Sequence, residues 1–101
     1  MSYVVVLTPR AKGNLRTIHA YIFAEAPHAA DDWLDRAELA VNSLGRHPER
    51  CPLAPESRSF GKPIRHLLFG VGNRGTYRVI FVIVDKLVYV LHVRHGSMLP
   101  L

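Results

Sequence analysis

The sequence has one cysteine and no long apolar run. These two features limit the classes of protein to which the chain can belong. A single cysteine, Cys51, allows no internal disulfide and is typical of a reducing cytoplasm. No apolar run approaches the ~20 residues that a membrane-spanning helix requires. Residues 1–10 have no basic segment before their short apolar stretch, so we interpret them as a first strand and not as a signal peptide. The expected location is the cytoplasm, without membrane attachment.

The sequence also has no recognisable metal-ligand spacing. Its six histidines are scattered, and the lone Cys51 lies in a proline-rich stretch. Zinc sites need closely spaced pairs of such ligands, so we expect neither a metal nor a cofactor. Because a nucleophilic thiol needs an electropositive setting with a base nearby, Cys51 is expected to be a bystander.

Acidic residues are scarce in the second half of the chain. Residues 46–101 hold nine basic and three acidic residues, a net charge of +6, whereas residues 1–45 hold four basic and five acidic ones, a net charge of −1. This asymmetry indicates a polyanionic partner, either nucleic acid or an acidic protein segment. A basic surface that serves only solubility is the alternative.

The 101 residues, 49% of them hydrophobic, predict a single globular domain over residues 1–101. Residues 3–7 are a predicted strand. Thr8 and Pro9 are typical of a helix start, and Ala26-Pro27 separates this helix from a second one that ends near Gly45. The short link predicts an antiparallel helical hairpin, with Trp33 in the core between the helices and a sheet.

Three β-rich runs follow a proline-rich stretch. Residues 46–63 carry no periodicity and are predicted to be a loop, of a length that is often functional. Residues 64–69, 76–84 and 87–94 are predicted strands, and residues 70–75 a glycine-rich turn. The fold class is therefore α+β, with the order β-α-α-β-β-β and an antiparallel sheet covered on one face by the helical hairpin. We see no further element for the other face and expect a partner to cover it.

The last two runs suggest a site for a polyanion. If Asp85-Lys86 is a two-residue turn, Arg78 lies opposite Val93 and Thr76 lies opposite His95. Arg78 and His95 are then diagonal neighbours on one face of the sheet. An arginine and a proton-transfer residue at the end of an apolar face are the beginning of such a site.

Several segments, in order and at fitting spacing, resemble the RelE/ParE superfamily of toxins from bacterial type II toxin–antitoxin systems. The segments are VVVLTPRA at residues 4–11, YI at 21–22, Pro27 with Ala30, LGRHP at 44–48, IRHL at 64–67, YRVIF at 77–81 and VLHVRHG at 90–96. The resemblance runs nearly from end to end. It implies a small sheet with a helical hairpin on one face, and a small antitoxin whose flexible segment wraps the toxin.

The resemblance leaves the activity open between branches. RelE-like members cut mRNA on the ribosome, ParE-like members inhibit DNA gyrase, and others have lost activity. The VLHVRHG and LGRHP segments, and a short tail without tyrosine, resemble the ParE branch more closely. The favoured hypothesis is a ParE-like gyrase inhibitor, as in plasmid-stabilisation systems, neutralised by a cognate antitoxin. The alternatives are a ribosome-dependent mRNA endoribonuclease and an inactive relative that only binds antitoxin.

The resemblance also implies roles for particular residues under the endoribonuclease alternative. Arg78 matches the arginine that contacts the scissile phosphate in RNA-cutting relatives, and His95 falls near a histidine that transfers protons. Lys62, Arg65 and Arg94 are further candidates for phosphate or partner binding. The plainer interpretation makes Arg78 the ion-pair partner of a helix carboxylate and makes His95 a histidine hydrogen-bonded to backbone at a strand end. His66 and His92 are expected to be packing or surface residues.

Overall fold

The computed structural model describes residues 2–70, 75–99 and 101. Its elements are β1 (Val4–Leu7), α1 (Pro9–Phe23), α2 (Pro27–Ser43), a 3₁₀ turn (Pro48–Arg50), α3 (Glu56–Phe60), β2 (Arg65–Gly70), β3 (Thr76–Val84) and β4 (Leu87–His95). The α+β class, the strand order along the chain and the two long helices agree with the sequence prediction. The middle of the predicted turn at 70–75 lies outside the described residues.

The first helix starts where the sequence predicts. The Thr8 hydroxyl oxygen accepts a hydrogen bond from the backbone N–H of Ala11 at 3.2 Å, and Pro9 occupies the first helical position. The same hydroxyl donates to the backbone carbonyl of Val90 at 2.7 Å. One side chain thus caps α1 and joins it to β4, which sets the entry angle of the helix over the sheet.

The sheet is mixed and not wholly antiparallel, which corrects the prediction. Its order is β1-β4-β3-β2, with β1 parallel to β4 and the other neighbours antiparallel. The last three strands, β2, β3 and β4, form an antiparallel meander. The alternation of apolar residues did not reveal which edge β1 joins, because either edge gives its side chains the same two faces.

The helical hairpin and one face of the sheet enclose the main core. Trp33 is fully buried there, with its ring centroid 5.2 Å from that of Tyr77 and 6.1 Å from that of Phe69. The prediction that Trp33 belongs to the core is confirmed. Cys51 is buried against the same cluster, and burial raises the pKa of its thiol above the usual range, as expected for an unreactive cysteine.

The opposite face of the sheet is partly covered by the chain itself. Residues 46–63, predicted to be a loop, contain the 3₁₀ turn and α3, and this segment packs over the sheet. Ala54 and Ile64 form a second small core with Ile80, and Val82 packs against it. The prediction that no element of the chain covers this face was therefore wrong. Four prolines hid the short helix, because five residues are too few to show helical periodicity.

The β3–β4 hairpin begins in the predicted register and then shifts. Val84 lies opposite Leu87, as the two-residue turn requires, and Asp85 in that turn has a left-handed backbone with φ of 57°. Further along, Phe81 pairs with Val90 but Ile80 pairs with His92. Leu91 is therefore an extra residue, which makes this point a β-bulge.

The bulge changes the face on which the candidate site residues lie. Beyond it Arg78 lies opposite Arg94, and Tyr77 lies opposite His95. The predicted pairings of Arg78 with Val93 and of Thr76 with His95 were wrong. Consecutive strand residues alternate between faces, so the backbone directs Arg78 and His95 to opposite faces of the sheet.

Within the part of the chain that the structure describes, no helix has the length and apolar character needed to cross a membrane.

Candidate functional site

Arg78 is held by a carboxylate from α3. Its Nη2 donates to Oε1 of Glu56 at 2.5 Å, and its Nη1 donates to Oε2 at 3.1 Å. Glu56 is fully buried and Arg78 is 6% exposed. Two charges are tolerated in a protein interior only when they are paired with good geometry. The bidentate contact between the guanidinium and the carboxylate supplies that geometry. The plainer interpretation of Arg78, a partner for a helix carboxylate, describes this arrangement.

The charge state of Glu56 follows from its surroundings. Burial by itself raises the pKa of the carboxyl, but hydrogen bonds from Arg78 and from the backbone N–H of Leu101, together with the charge of Arg78, lower the pKa to about 2. Glu56 is therefore a carboxylate at neutral pH. Its negative charge compensates that of Arg78, which otherwise faces Arg94 directly across the strands.

His66 completes this cluster from β2. Its Nδ1 accepts a hydrogen bond from Nε of Arg78 at 3.0 Å. Nδ1 therefore carries no proton, and the neutral ring carries its proton on Nε2. Burial, and then the charge of Arg78, lower the pKa of His66, while Glu56 acts in the opposite direction. His66 was predicted to be a packing or surface residue, and its contact with Arg78 was not predicted.

His95 is fixed at the end of β4. Its Nδ1 lies 3.1 Å from the backbone nitrogen of Ser97 and 2.7 Å from the Ser97 hydroxyl oxygen, and the edge of its ring meets Tyr77 at 4.9 Å between centroids. A Cβ on Gly75 would lie 2.8 Å from Nε2 of His95, and φ of Gly75 is +89°. Glycine at position 75 therefore leaves the space that the imidazole occupies.

Arg78 and His95 nevertheless line one cavity, which we call the arginine cleft. It has a volume of about 510 Å³ at the end of the sheet. The residues that line it are Pro55, His66, Leu68, Thr76, Arg78, His95, Gly96, Ser97 and Met98. The predicted reason for their proximity, a shared face of the sheet, was wrong. They meet at the cleft because the chain turns back after β4, and not because they share a face.

The other predicted cations lie elsewhere. Arg65 lies opposite Phe81, and its Nη1 donates to the Cys51 carbonyl oxygen at 2.7 Å. Lys62 is exposed in the link between α3 and β2. Neither lines the arginine cleft, so the predicted cluster of Lys62 and Arg65 with Arg78 is not assembled there.

A second cavity, which we call the helix groove, runs between α1 and the end of β4. It has a volume of about 550 Å³ and is lined by Arg10, Asn14, Thr17, Ile18, Tyr21, Tyr77, His92, Val93, Arg94, His95, Met98 and Leu101. Burial lowers the pKa of His92, and the charges of Arg10 and Arg94 lower it further. The two arginines therefore make the groove electropositive, and Arg94 is the one predicted binding residue that it contains.

No metal cluster is found among the residues that the structure describes, since nowhere there do three His, Cys, Asp or Glu side chains converge as ligands.

The comparisons with known proteins agree with this fold. A family model described as "ParE toxin of type II toxin-antitoxin system, parDE" matches residues 5–100. The chain belongs to this ParE toxin family. Among curated proteins no sequence matches it significantly.

Two solved toxin–antitoxin complexes contain chains of similar structure. A chain of the chromosomal ParDE system from P. aeruginosa has a TM-score of 0.72 and 17% identity, covering 93% of this chain and 96% of its own length. A chain of the RelBE2 toxin–antitoxin complex from Mycobacterium tuberculosis has a TM-score of 0.56 and 26% identity, with 94% and 99% covered. The ParE-family chain therefore shares its fold with both branches of the superfamily, as the sequence resemblance predicts.

Proposed function

We propose that this ParE-family chain is a growth-inhibiting toxin that blocks DNA gyrase in the cytoplasm and is neutralised by a cognate antitoxin. The family match over residues 5–100 supports the ParE branch. The observation that carries the choice between branches is the engagement of Arg78. Its Nη1, Nη2 and Nε atoms all donate to groups of the chain itself, so the arginine that the endoribonuclease alternative needs is already neutralised.

A gyrase inhibitor needs a complementary surface and no catalytic constellation. The helix groove offers such a surface, since apolar walls are combined with the charges of Arg10 and Arg94. Lys62 and Arg65 add positive charge elsewhere on the chain. Their proposed contribution is to partner binding, through long-range attraction of an acidic surface.

The antitoxin is the second partner in the proposal. Both solved structures of similar fold are toxin–antitoxin systems. The chain exposes large apolar side chains, among them Tyr21 (78%), Leu39 (69%) and Leu99 (83%). A binding partner that covers such groups lowers the free energy of the complex and protects the toxin from association with itself.

The endoribonuclease alternative has one observation in its favour. Arg78, His66 and His95 line the same cleft, and His95 would be the proton-transfer group, with Arg78 at the phosphate. For Arg78 to bind a phosphate, it would have to exchange one buried anion for another, at the cost of leaving Glu56 without its partner. This requirement makes the alternative the weaker of the two.

The proposal is tested by inducing the toxin in cells without antitoxin and following DNA and protein synthesis in parallel by pulse-labelling. The expected result is that DNA synthesis falls first. Neither His95→Ala nor the exposed control His28→Ala should then change which of the two syntheses falls first. If protein synthesis falls first and His95→Ala alone relieves it, the endoribonuclease alternative replaces the proposal. Unchanged growth with soluble, folded protein identifies an inactive relative.

A further inference from the structure

Strand β1 lies at one edge of the sheet, beside β4. Its sequence is VVVL, and residues 2–8 contain neither a charged side chain nor a proline. Natural proteins usually protect an edge strand with lysine, proline or a bulge, because its unpaired backbone groups can pair with another chain. Val4 is 60% exposed, so β1 is an apolar edge strand without this usual protection.

The backbone groups of Val5 and Leu7 point away from the sheet. The Val4 N–H donates to the Lys86 carbonyl oxygen at 2.9 Å, which shows that the even-numbered residues of β1 pair with β4. Alternate residues of a strand direct their N–H and C=O groups to opposite edges. In the described part of the chain, no backbone hydrogen bond from outside the sheet reaches Val5 or Leu7. These groups are available to a further strand.

The open stretch of this edge is short. The Tyr3 N–H donates to the Gly45 carbonyl oxygen at 2.9 Å, and Ser2 forms an antiparallel bridge with Arg46. The chain itself therefore fills the position beside the start of β1. The remaining stretch, residues 5–7, is the part that another strand can join.

A second copy of the same strand fits this stretch. In an antiparallel pair centred on Val6, Val5 of one copy lies opposite Leu7 of the other, and their outward N–H and C=O groups exchange hydrogen bonds. Val6 lies opposite Val6 of the second copy, and a pair of β-branched residues stabilises such a joint. A partner selected by charge would find no charged side chain on β1. The uncharged strand instead lets two copies meet although each chain carries a net charge of +5.

We propose that the β1 edge is a self-association surface, at which two copies of the chain pair antiparallel about Val6 and join their sheets into one. So short a joint belongs to the weak class of interfaces that bury less than ~1,200 Å², and the dimer should therefore depend on concentration. No β1 residue lines the helix groove or the arginine cleft, so the dimer presents two open copies of each cavity. The inference does not depend on which cellular target the toxin has.

Sedimentation velocity at rising concentrations of the full chain tests the joint. The native chain should pass from the mass of one copy toward that of two. Val6→Lys and Val6→Glu should each weaken the dimer by about tenfold or more, because like charges then lie directly opposite each other. An equimolar mixture of these two variants should recover the dimer. Val84→Lys is the control, since Val84 is 48% exposed on β3 and away from the β1 edge, and it should dimerise as the native chain does.

Three results would overturn the proposal. The first is a native chain that keeps the mass of one copy at every concentration at which it stays soluble. The second is a mixture of folded Val6→Lys and Val6→Glu chains that does not recover the dimer. The third is a loss of dimer in Val84→Lys equal to that in Val6→Lys, because the open face of the sheet and not its edge would then be the joint.

A backbone substitution tests the hydrogen bonds separately from the side chains. Proline is tolerated in an edge strand where its missing N–H would face outward. Val5→Pro removes an outward donor without removing a hydrogen bond to β4, whereas Val5→Ala shortens the side chain and keeps the donor. With folding verified by thermal unfolding, Val5→Pro should sediment as one copy and Val5→Ala should still dimerise. Equal dimerisation of the two variants would contradict pairing through the β1 edge.

Discussion

Arg78 and Glu56 decide how the candidate site is understood. Both terminal nitrogens of the buried Arg78 guanidinium contact the carboxylate of Glu56. The first role of this pair is structural, because each charge makes the burial of the other tolerable. Arg78 and Arg94 form a natural pair for comparison, since they lie directly opposite each other on adjacent strands. Within the described residues only Arg78 of the two forms an ion pair.

Arg78→Ala should therefore lower the free energy of unfolding by about 3–5 kcal/mol, because Glu56 is left buried without its partner. Arg94→Ala should change it by less than about 1 kcal/mol, since no buried carboxylate loses its counter-charge. Urea denaturation of both variants measures the difference. Equal losses in the two variants would show that the ion pair is not the reason for the effect.

Glu56 also predicts how stability depends on pH. Its pKa is about 2 in the folded chain against 4.5 as the ordinary value. The folded state binds the proton less tightly, so the contribution is fully present above pH 4.5 and is lost as the pH falls toward 2. The loss should amount to roughly 3 kcal/mol.

Denaturation series between pH 2 and 6 on the native chain, Glu56→Gln and the exposed control Glu38→Gln measure this contribution. The slope of stability against pH should flatten in Glu56→Gln and persist in Glu38→Gln. A slope in Glu56→Gln as steep as in the native chain would exclude Glu56 as its source.

At the residue scale the candidate residues were predictable from the sequence, but the residues that contact them were not. Arg78 and His95 were recognisable from their positions in the last two β-rich runs and from the resemblance. Glu56 was not, although it is one of three acidic residues in the basic half. Its role depends on α3, a helix of five residues, and so short a helix has no sequence signature that places its carboxylate over a strand.

At the scale of the elements, the β-bulge at Leu91 causes the largest difference between the predicted and the observed strand pairing. One extra residue exchanges the two faces for every position beyond it. The hairpin turn predicted the register at Val84 and Leu87 correctly, and the bulge then moved His95 to the face of Tyr77. Periodicity cannot reveal such a bulge here, because both β4 faces are partly buried and read as one apolar run.

The turn that sets this register depends on Asp85, whose φ of 57° lies in the left-handed region. Asp85→Val should destabilise the chain by about 1–2 kcal/mol, since a β-branched residue is strained in that conformation. Asp85→Asn should be nearly neutral, because asparagine tolerates it. Thermal unfolding compares them. If valine is accepted as readily as asparagine, the turn does not have the strained geometry described.

At the scale of the whole molecule, the sequence predicted the helical layer on one face of the sheet, but it did not predict how much of the other face the chain covers. The helical hairpin over one face followed from the helix signals at Thr8-Pro9 and Ala26-Pro27 and from the short link between the helices. Coverage of the second face by residues 46–63 did not, because proline-rich segments without periodicity give no measure of how closely they pack. Val4 (60% exposed) and Val84 (48% exposed) mark the part of the sheet and its turn that the chain leaves open.

An antitoxin that folds around the toxin should raise its melting temperature, because a ligand of the folded state alone stabilises that state. Titration with the product of an adjacent small open reading frame, followed by thermal unfolding, measures the shift. The shift should grow with antitoxin concentration. The absence of both a shift and co-purification would remove this protein as the partner.

The most direct test of the central claim is supercoiling by purified DNA gyrase in the presence of the purified toxin. The account predicts dose-dependent inhibition that pre-incubation with antitoxin abolishes, and it predicts no cleavage of mRNA on ribosomes by the same preparation. Full supercoiling activity at saturating, folded toxin, together with mRNA cleavage on the ribosome that His95→Ala abolishes, would contradict it.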